Sequence, residues 1–161
     1  MADQEIERFV AQYDRVAELM AQASEAIPPG EELFRPHPRC QEWLYLLTHP
    51  ATHFEIFRTL MEGGADHGFP TAYRAPENLP ANGPAGGRLL RERWSAFRHW
   101  IVSRPEGFAA TMVKVPWGGA PMTVAQLLDW LYEEGVHHRG QAWVYARMHD
   151  MKPPAIWGTE G

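Results

Sequence analysis

The last long amphipathic segment of the chain places two side chains of the kind that bind metal ions where a hydrophobic core should lie. Glu134 and His138 are four residues apart, so on an α-helix they stack on one face. The same face carries an apolar stripe formed by Val124, Leu127, Leu128, Leu131, Ala142 and Tyr145. Burying a carboxylate and an imidazole without partners is costly, and a metal ion is a strong candidate for the missing partner. The segment therefore predicts a buried polar site on a core helix.

Four segments have apolar residues at the three- and four-residue spacing that is typical of amphipathic helices. The predicted helices cover about residues 3–26, 40–62, 87–104 and 124–150. Pro50 interrupts the second segment, which predicts a kink or a helix that restarts with proline in its first turn. Residues 63–87, rich in Gly and Pro, predict a long crossover loop, and residues 112–122 predict a short hairpin before the last helix. The predicted fold is all-α, a four-helix bundle that forms a single domain over residues 1–161.

The composition argues against several classes of protein. The net charge is −5 and no block of Lys or Arg occurs, so we expect no nucleic-acid partner. The first residues carry acids and no apolar core of a signal peptide, and no run approaches the roughly 20 apolar residues of a membrane span. The only cysteine, Cys40, has no partner for an internal disulfide. These features predict a soluble cytoplasmic protein without a membrane partner.

A second pair of candidate ligands, His49 and His53, lies in the second predicted helix, four residues apart with Pro50 between them. Helix bundles build metal sites from inward-pointing side chains on facing helices. Two histidines and one carboxylate leave coordination positions open for water or substrate, as in catalytic sites. A Glu/His pair at this spacing is more often a solvated surface pair, and a single buried histidine is more often hydrogen-bonded in the core. The residues alone leave these alternatives open.

The other polar residues are weaker candidates for a functional site. His137 lies about 100° round the helix from His138, which suits a supporting residue better than a ligand. Gln141 could orient a ligand or a bound water, and a polar surface role fits it equally. Cys40 is predicted to be a buried or idle thiol rather than a nucleophile. The histidines predicted to lie at the surface are His37, His67, His99 and His149.

The run HHRGQAWVYARMHDMKPPAIWG, residues 137–158, resembles the closing helix and tail of the DinB/YfiT-like superfamily. Its members typically end with HRGQ, a tyrosine-containing stretch, an arginine, a short loop and a Pro-Pro pair. The run LLTHPATHFE, residues 46–55, resembles the second-helix histidine of that superfamily, and PWGGAPMT resembles the hairpin before its last helix. The resemblance covers the order of elements along essentially the whole chain.

This resemblance implies a four-helix bundle of up-up-down-down type, usually dimeric, with one metal ligand from helix two and two from an HXXXH motif in helix four. Carried over by position, it implies His49 and His138 as ligands. Glu134 stands where the family commonly has histidine, but the mycothiol-dependent isomerase branch resembles this chain in having glutamate there. The implied ligand set is therefore His49, Glu134 and His138, with His53 as the reserve ligand. The implied cofactor is a divalent metal ion, zinc first, with nickel, iron or manganese as alternatives.

The resemblance also implies an activity. It favours thiol-dependent transfer in a homodimer, with a low-molecular-weight thiol such as mycothiol or bacillithiol as cosubstrate and a small molecule as substrate. The alternatives are a metal-dependent hydrolase and a non-catalytic, stress-related metal-binding bundle. Arg139, Arg147 or an arginine of the 63–87 loop would hold a carboxylate of the cosubstrate.

Overall fold

The protein folds as a four-helix bundle, which confirms the predicted fold class. The computed structural model describes residues 3–64, 80–117 and 119–155. The helices are α1 (Gln4–Glu25), α2 (Trp43–Thr48), α3 (Pro50–Met61), α4 (Gly83–Val102) and α5 (Val124–Met148). Because α2 and α3 follow one another directly, they act as one bent helix of the bundle. None of the helices in the described part of the chain has the length and apolar character that crossing a membrane requires.

The bend between α2 and α3 occurs at Pro50, which is the first residue of α3. Proline fits this position because a first-turn residue has no intrahelical acceptor for its amide, so nothing is lost when that amide is missing. His49 keeps helical backbone angles (φ −61°, ψ −29°), and its carbonyl accepts a 2.9 Å hydrogen bond from the amide of Thr52. The predicted restart of the helix at Pro50 is confirmed.

The start of α5 is fixed by a capping box. The Thr123 side chain accepts a hydrogen bond from the backbone N–H of Gln126, and the Gln126 side chain accepts one from the backbone N–H of Thr123. From this start the apolar stripe of α5 faces the core, where Leu127 and Leu131 are completely buried.

A short hairpin precedes α5, as predicted. Strand β1 (Met112–Val113) pairs antiparallel with β2 (Met122–Thr123), so that Met112 lies opposite Thr123. Within the predicted hairpin, Gly118 lies outside the described residues. The hairpin places Trp117 beside α5, where its ring lies 4.8 Å from that of Trp130.

The start of α4 corrects the sequence prediction. The helix begins at Gly83 rather than Gly87, and the Asn82 side chain caps it by accepting a 2.9 Å hydrogen bond from the amide of Ala85. Glycine and proline suggested a loop here, but the glycines of this turn pack against α1: a methyl group on Gly86 would lie 2.4 Å from Ser24 Oγ. Of the predicted crossover loop, residues 65–79 lie outside the described residues.

Candidate metal centre

The candidate site lies in a cleft between α5 and the bent α2–α3 helix. His49 faces His138, with ring centroids 4.2 Å apart, and Phe57 faces Trp130, with centroids 6.2 Å apart. Higher numbers on α3 thus meet lower numbers on α5, so the two helices run antiparallel. Residues four apart fall on one face of each helix and line the cleft.

Three predicted ligands come together at one end of this cleft. Nε2 of His138 lies 2.8 Å from Oε1 of Glu134, and Nε2 of His49 lies 3.8 Å from the same oxygen. One donor atom from each residue lies within 4.8 Å of the other two. Both histidines are buried and Glu134 is half-buried. Since zinc binds nitrogen and oxygen donors at about 2.0–2.2 Å, His49, Glu134 and His138 would hold one such ion after small side-chain movements.

The outer nitrogens of both histidines are already engaged. Nδ1 of His49 lies 3.0 Å from the carbonyl oxygen of Tyr45, which can only accept, so the imidazole proton sits on Nδ1. Nδ1 of His138 pairs in the same way with Oε1 of Gln141 at 3.1 Å. With a proton on Nδ1, each Nε2 is the nitrogen left to bind a cation beside the carboxylate, which is the arrangement that ligating histidines adopt.

The charges of the site suit a cation. The imidazole of His138 and, next, that of His49 hold the pKa of the Glu134 carboxyl well below its usual range, because either ring in its protonated form donates a hydrogen bond from Nε2 to the carboxylate. Burial lowers the pKa of His49, against the opposing effect of Glu134. Burial, reinforced by His49, lowers the pKa of His53 to about 3. At neutral pH Glu134 is therefore ionised and the His49 imidazole is neutral, which are the protonation states that metal ligands require.

The three residues predicted as reserve or supporting residues lie at different distances from the donor cluster. The His53 ring lies 5.3 Å from that of His49 and lines the cleft, but His53 does not belong to the cluster of three converging donors. Gln141 bonds His138 directly and so has the orienting position that the sequence suggested for it. His137 is exposed, and its ring lies 5.0 Å from that of His138.

The histidines predicted at the surface behave differently from one another. His37 and His99 are exposed, as predicted, and His67 lies outside the described residues. The prediction for His149 is wrong, because its side chain is half-buried and its ring centroid lies 4.2 Å from that of Phe34. The segment before α2 covers the end of α5 at this point. A position near a helix end does not by itself indicate such a contact.

Two of the arginines predicted to bind the cosubstrate lie away from the cleft, and the arginine of the 63–87 loop lies outside the described residues. The Arg139 guanidinium lies over the Trp143 ring, 5.7 Å from its centroid, and Arg147 donates to the Trp143 carbonyl. Neither lines the cleft. Cys40 is half-buried beside Tyr145, whose pKa is raised to about 12 by burial and by a hydrogen bond with that thiol.

The cleft widens into a cavity of about 280 Å³ beside the three donors. Its lining residues are Gln41, Tyr45, His49, His53, Phe57, Trp130, Glu134 and His138. Sequence reasoning missed Gln41, Tyr45, Phe57 and Trp130 as site residues. Each of the three aromatic residues lies four residues from a candidate ligand, so the helical spacing that identified Glu134 and His138 would also have indicated them.

The sequence model of the DinB family matches residues 3–159. A DinB-like protein from Bacillus cereus has a similar structure, with a TM-score of 0.77 and 18% identity over 94% of this chain and 97% of that one. YfiT from Bacillus subtilis, described as a probable metal-dependent hydrolase with an unusual four-helix bundle topology, has a TM-score of 0.75 and 11% identity over 94% and 91%. The DinB-like protein YjoA from Bacillus subtilis has a TM-score of 0.72 and 16% identity over 95% and 99%. No curated protein matches in sequence.

Proposed function

This chain belongs to the DinB family, and from that premise we propose that it is an enzyme that binds one divalent cation through His49, Glu134 and His138. The observation that carries the proposal is the convergence of two imidazole Nε2 atoms and a carboxylate oxygen, with both outer imidazole nitrogens hydrogen-bonded. Two nitrogen donors and one oxygen donor suit zinc best, and nickel, iron and manganese fit the same set.

The residues present fit such an ion. Tyr45 and Gln141 hold the two rings in the orientation that aims Nε2 at the site, and the adjoining cavity gives water or a substrate access to it. When bound, a divalent cation lowers the pKa of a water or thiol that it contacts. One carboxylate offsets only half of the charge of such a cation. The loaded site therefore remains positive and favours an anionic nucleophile.

We propose thiol-dependent transfer as the reaction, in a homodimer that takes a low-molecular-weight thiol and a small electrophile. The thiol sulfur forms a bond to the electrophilic atom, the leaving group departs with its bonding electrons, and the thiol proton passes to the leaving group or to solvent. Among the described residues that line the cavity, Glu134 is the only carboxylate, and there is no lysine or serine. Few side chains in the cavity are therefore available as a base to activate water, whereas a thiolate needs no base once it has formed.

Hydrolysis is the second candidate. It is favoured by the fold shared with YfiT, described as a probable metal-dependent hydrolase, and by His53, an imidazole in the cavity outside the donor cluster. A metal-binding bundle without catalysis is the remaining alternative. It predicts a stoichiometric metal ion and no turnover of any electrophile.

The function is tested with protein purified without a histidine tag. Elemental analysis should find about one divalent ion per chain, and incubation with an electrophile such as monobromobimane plus mycothiol or bacillithiol should give conjugates, detected by mass spectrometry, faster than the thiol alone. Product formation without any thiol would favour the hydrolase. Protein that contains no metal and whose melting temperature does not respond to zinc or nickel would contradict the proposal as a whole.

Gln141→Leu should weaken zinc binding about 10–100-fold, because His138 loses the acceptor that orients its ring. Competition with a chromophoric chelator measures the affinity. Gln141→Glu keeps an acceptor oxygen and should restore most of it, whereas His137→Leu, an exposed neighbour, serves as the matched control. An unchanged affinity in Gln141→Leu would show that the hydrogen bond to His138 has no role in metal binding.

A further inference from the structure

Three aromatic side chains form a cluster at the end of the cleft away from His49 and His138. The Trp130 ring lies 4.8 Å from Trp117 and 6.2 Å from Phe57, and Phe57 lies 6.1 Å from Trp117. Phe57 is buried, but Trp117 and Trp130 remain 36% and 41% exposed. The cluster is therefore packed well enough to hold its shape and still offers indole surface to a ligand.

This cluster is continuous with the candidate metal site. Phe57 and Trp130 line the same cavity as the three donors, and Trp130 lies four residues, about 6 Å along the helix axis, from Glu134. Six of the eight lining residues carry planar rings. A small molecule in the cavity can thus contact the donor end and the aromatic end together.

The polar groups of the cavity are unevenly placed. Its only ionised carboxylate belongs to the donor cluster, and no lysine or arginine is found among the described residues that line it. An anionic substituent at the aromatic end would lose its hydration and gain no cationic partner. A flat, uncharged group would instead gain contact with the ring faces of the wall.

We infer that the cavity binds substrates that carry an uncharged aromatic or conjugated group, seated against Phe57 and Trp130, about one helical turn from the polar group that reaches the donors. The inference deepens the proposed function and rests on it, since the polar group is taken to meet a bound cation. It assigns Phe57 and Trp130 to substrate selection rather than to metal binding.

Three hydroxamates test this assignment with zinc-loaded protein, by isothermal titration calorimetry. Acetohydroxamate supplies the metal-binding group alone, phenylacetohydroxamate adds a flat ring, and cyclohexylacetohydroxamate adds an apolar ring that is not flat. We expect the phenyl compound to bind about tenfold more tightly than the acetyl compound and clearly more tightly than the cyclohexyl one.

A variant locates the effect. In Trp130→Leu the advantage of the phenyl compound should fall to about threefold or less, while acetohydroxamate and zinc bind as in the unchanged protein. Val144→Ala, which alters an exposed residue of the same helix outside the cavity, is the matched control and should keep the full advantage. Circular dichroism and the zinc stoichiometry establish that each variant is folded and loaded.

The outcomes separate this inference from the proposed function. Equal affinity for acetohydroxamate and phenylacetohydroxamate would overturn the aromatic subsite and leave the metal site intact. Equal affinity for the phenyl and cyclohexyl compounds would overturn the preference for a flat group. A phenyl advantage that persists in Trp130→Leu would overturn the location. Failure of the unchanged protein to take up zinc would remove the proposed function and this inference with it.

Discussion

His138→Ala should abolish stoichiometric metal binding and leave the bundle folded. The substitution removes one of three donors and the partner of Glu134, so zinc affinity should fall by more than about 100-fold, beyond the effect of losing only an orienting hydrogen bond. A ligand at 100 times its dissociation constant stabilises a protein by about 2.7 kcal/mol. The increase in melting temperature that zinc gives the unchanged protein should therefore disappear.

The measurement combines calorimetric titration with thermal unfolding, each with zinc and with a chelator. His137→Ala is the matched control, because it removes the neighbouring imidazole, which is exposed and outside the donor cluster. It should retain both the stoichiometry and the stabilisation. If His138→Ala still took up one tightly bound ion, the three residues could not be the ligand set.

Gly86→Ala should lower the free energy of unfolding by about 1–3 kcal/mol, the usual cost of overpacking a core. The added methyl group would lie 2.4 Å from Ser24 Oγ, 2.8 Å from Leu44 Cδ1 and 2.9 Å from Thr48 Cγ2. All three residues are buried, so none can move aside freely. The start of α4 must then separate from α1 and α2. Denaturant unfolding followed by circular dichroism measures the loss.

Gly140→Ala provides the comparison for this effect. It makes the same chemical change within a helix, but a methyl group at Gly140 meets nothing within 4 Å. The higher helix propensity of alanine should then raise the free energy of unfolding by up to about 1 kcal/mol. Equal effects of the two substitutions would contradict the close packing assigned to Gly86.

Part of the site was predictable because helical spacing is a local property. Glu134 and His138 lie on one uninterrupted helix, so their positions in sequence fix their common direction, and the structure brings them to 2.8 Å. Pro50 separates His49 from His53, and spacing alone could not decide which imidazole would face α5. The choice of His49 came from resemblance to a family, and its donor atom is the one that the structure places beside Glu134.

Other features depend on contacts between distant parts of the chain. Gly83 and Pro84 are typical loop residues, yet they begin α4, and the Ser24 hydroxyl donates a 2.9 Å hydrogen bond to the Gly83 carbonyl. Local propensity cannot anticipate a helix start that is packed against a partner 59 residues away. The half-buried His149 was missed for the same reason.

Because α3 and α5 are antiparallel, their residues face one another in pairs at successive helical turns of the cleft, and each such pair forms one level. One level contains His49 opposite His138, and another, two turns along, contains Phe57 opposite Trp130. Because these levels share a backbone but no side chain, substitutions at Phe57 and Trp130 should change ligand preference without changing the three candidate metal ligands. A protein built in this way can acquire new substrates through mutations at one level while the other level stays constant.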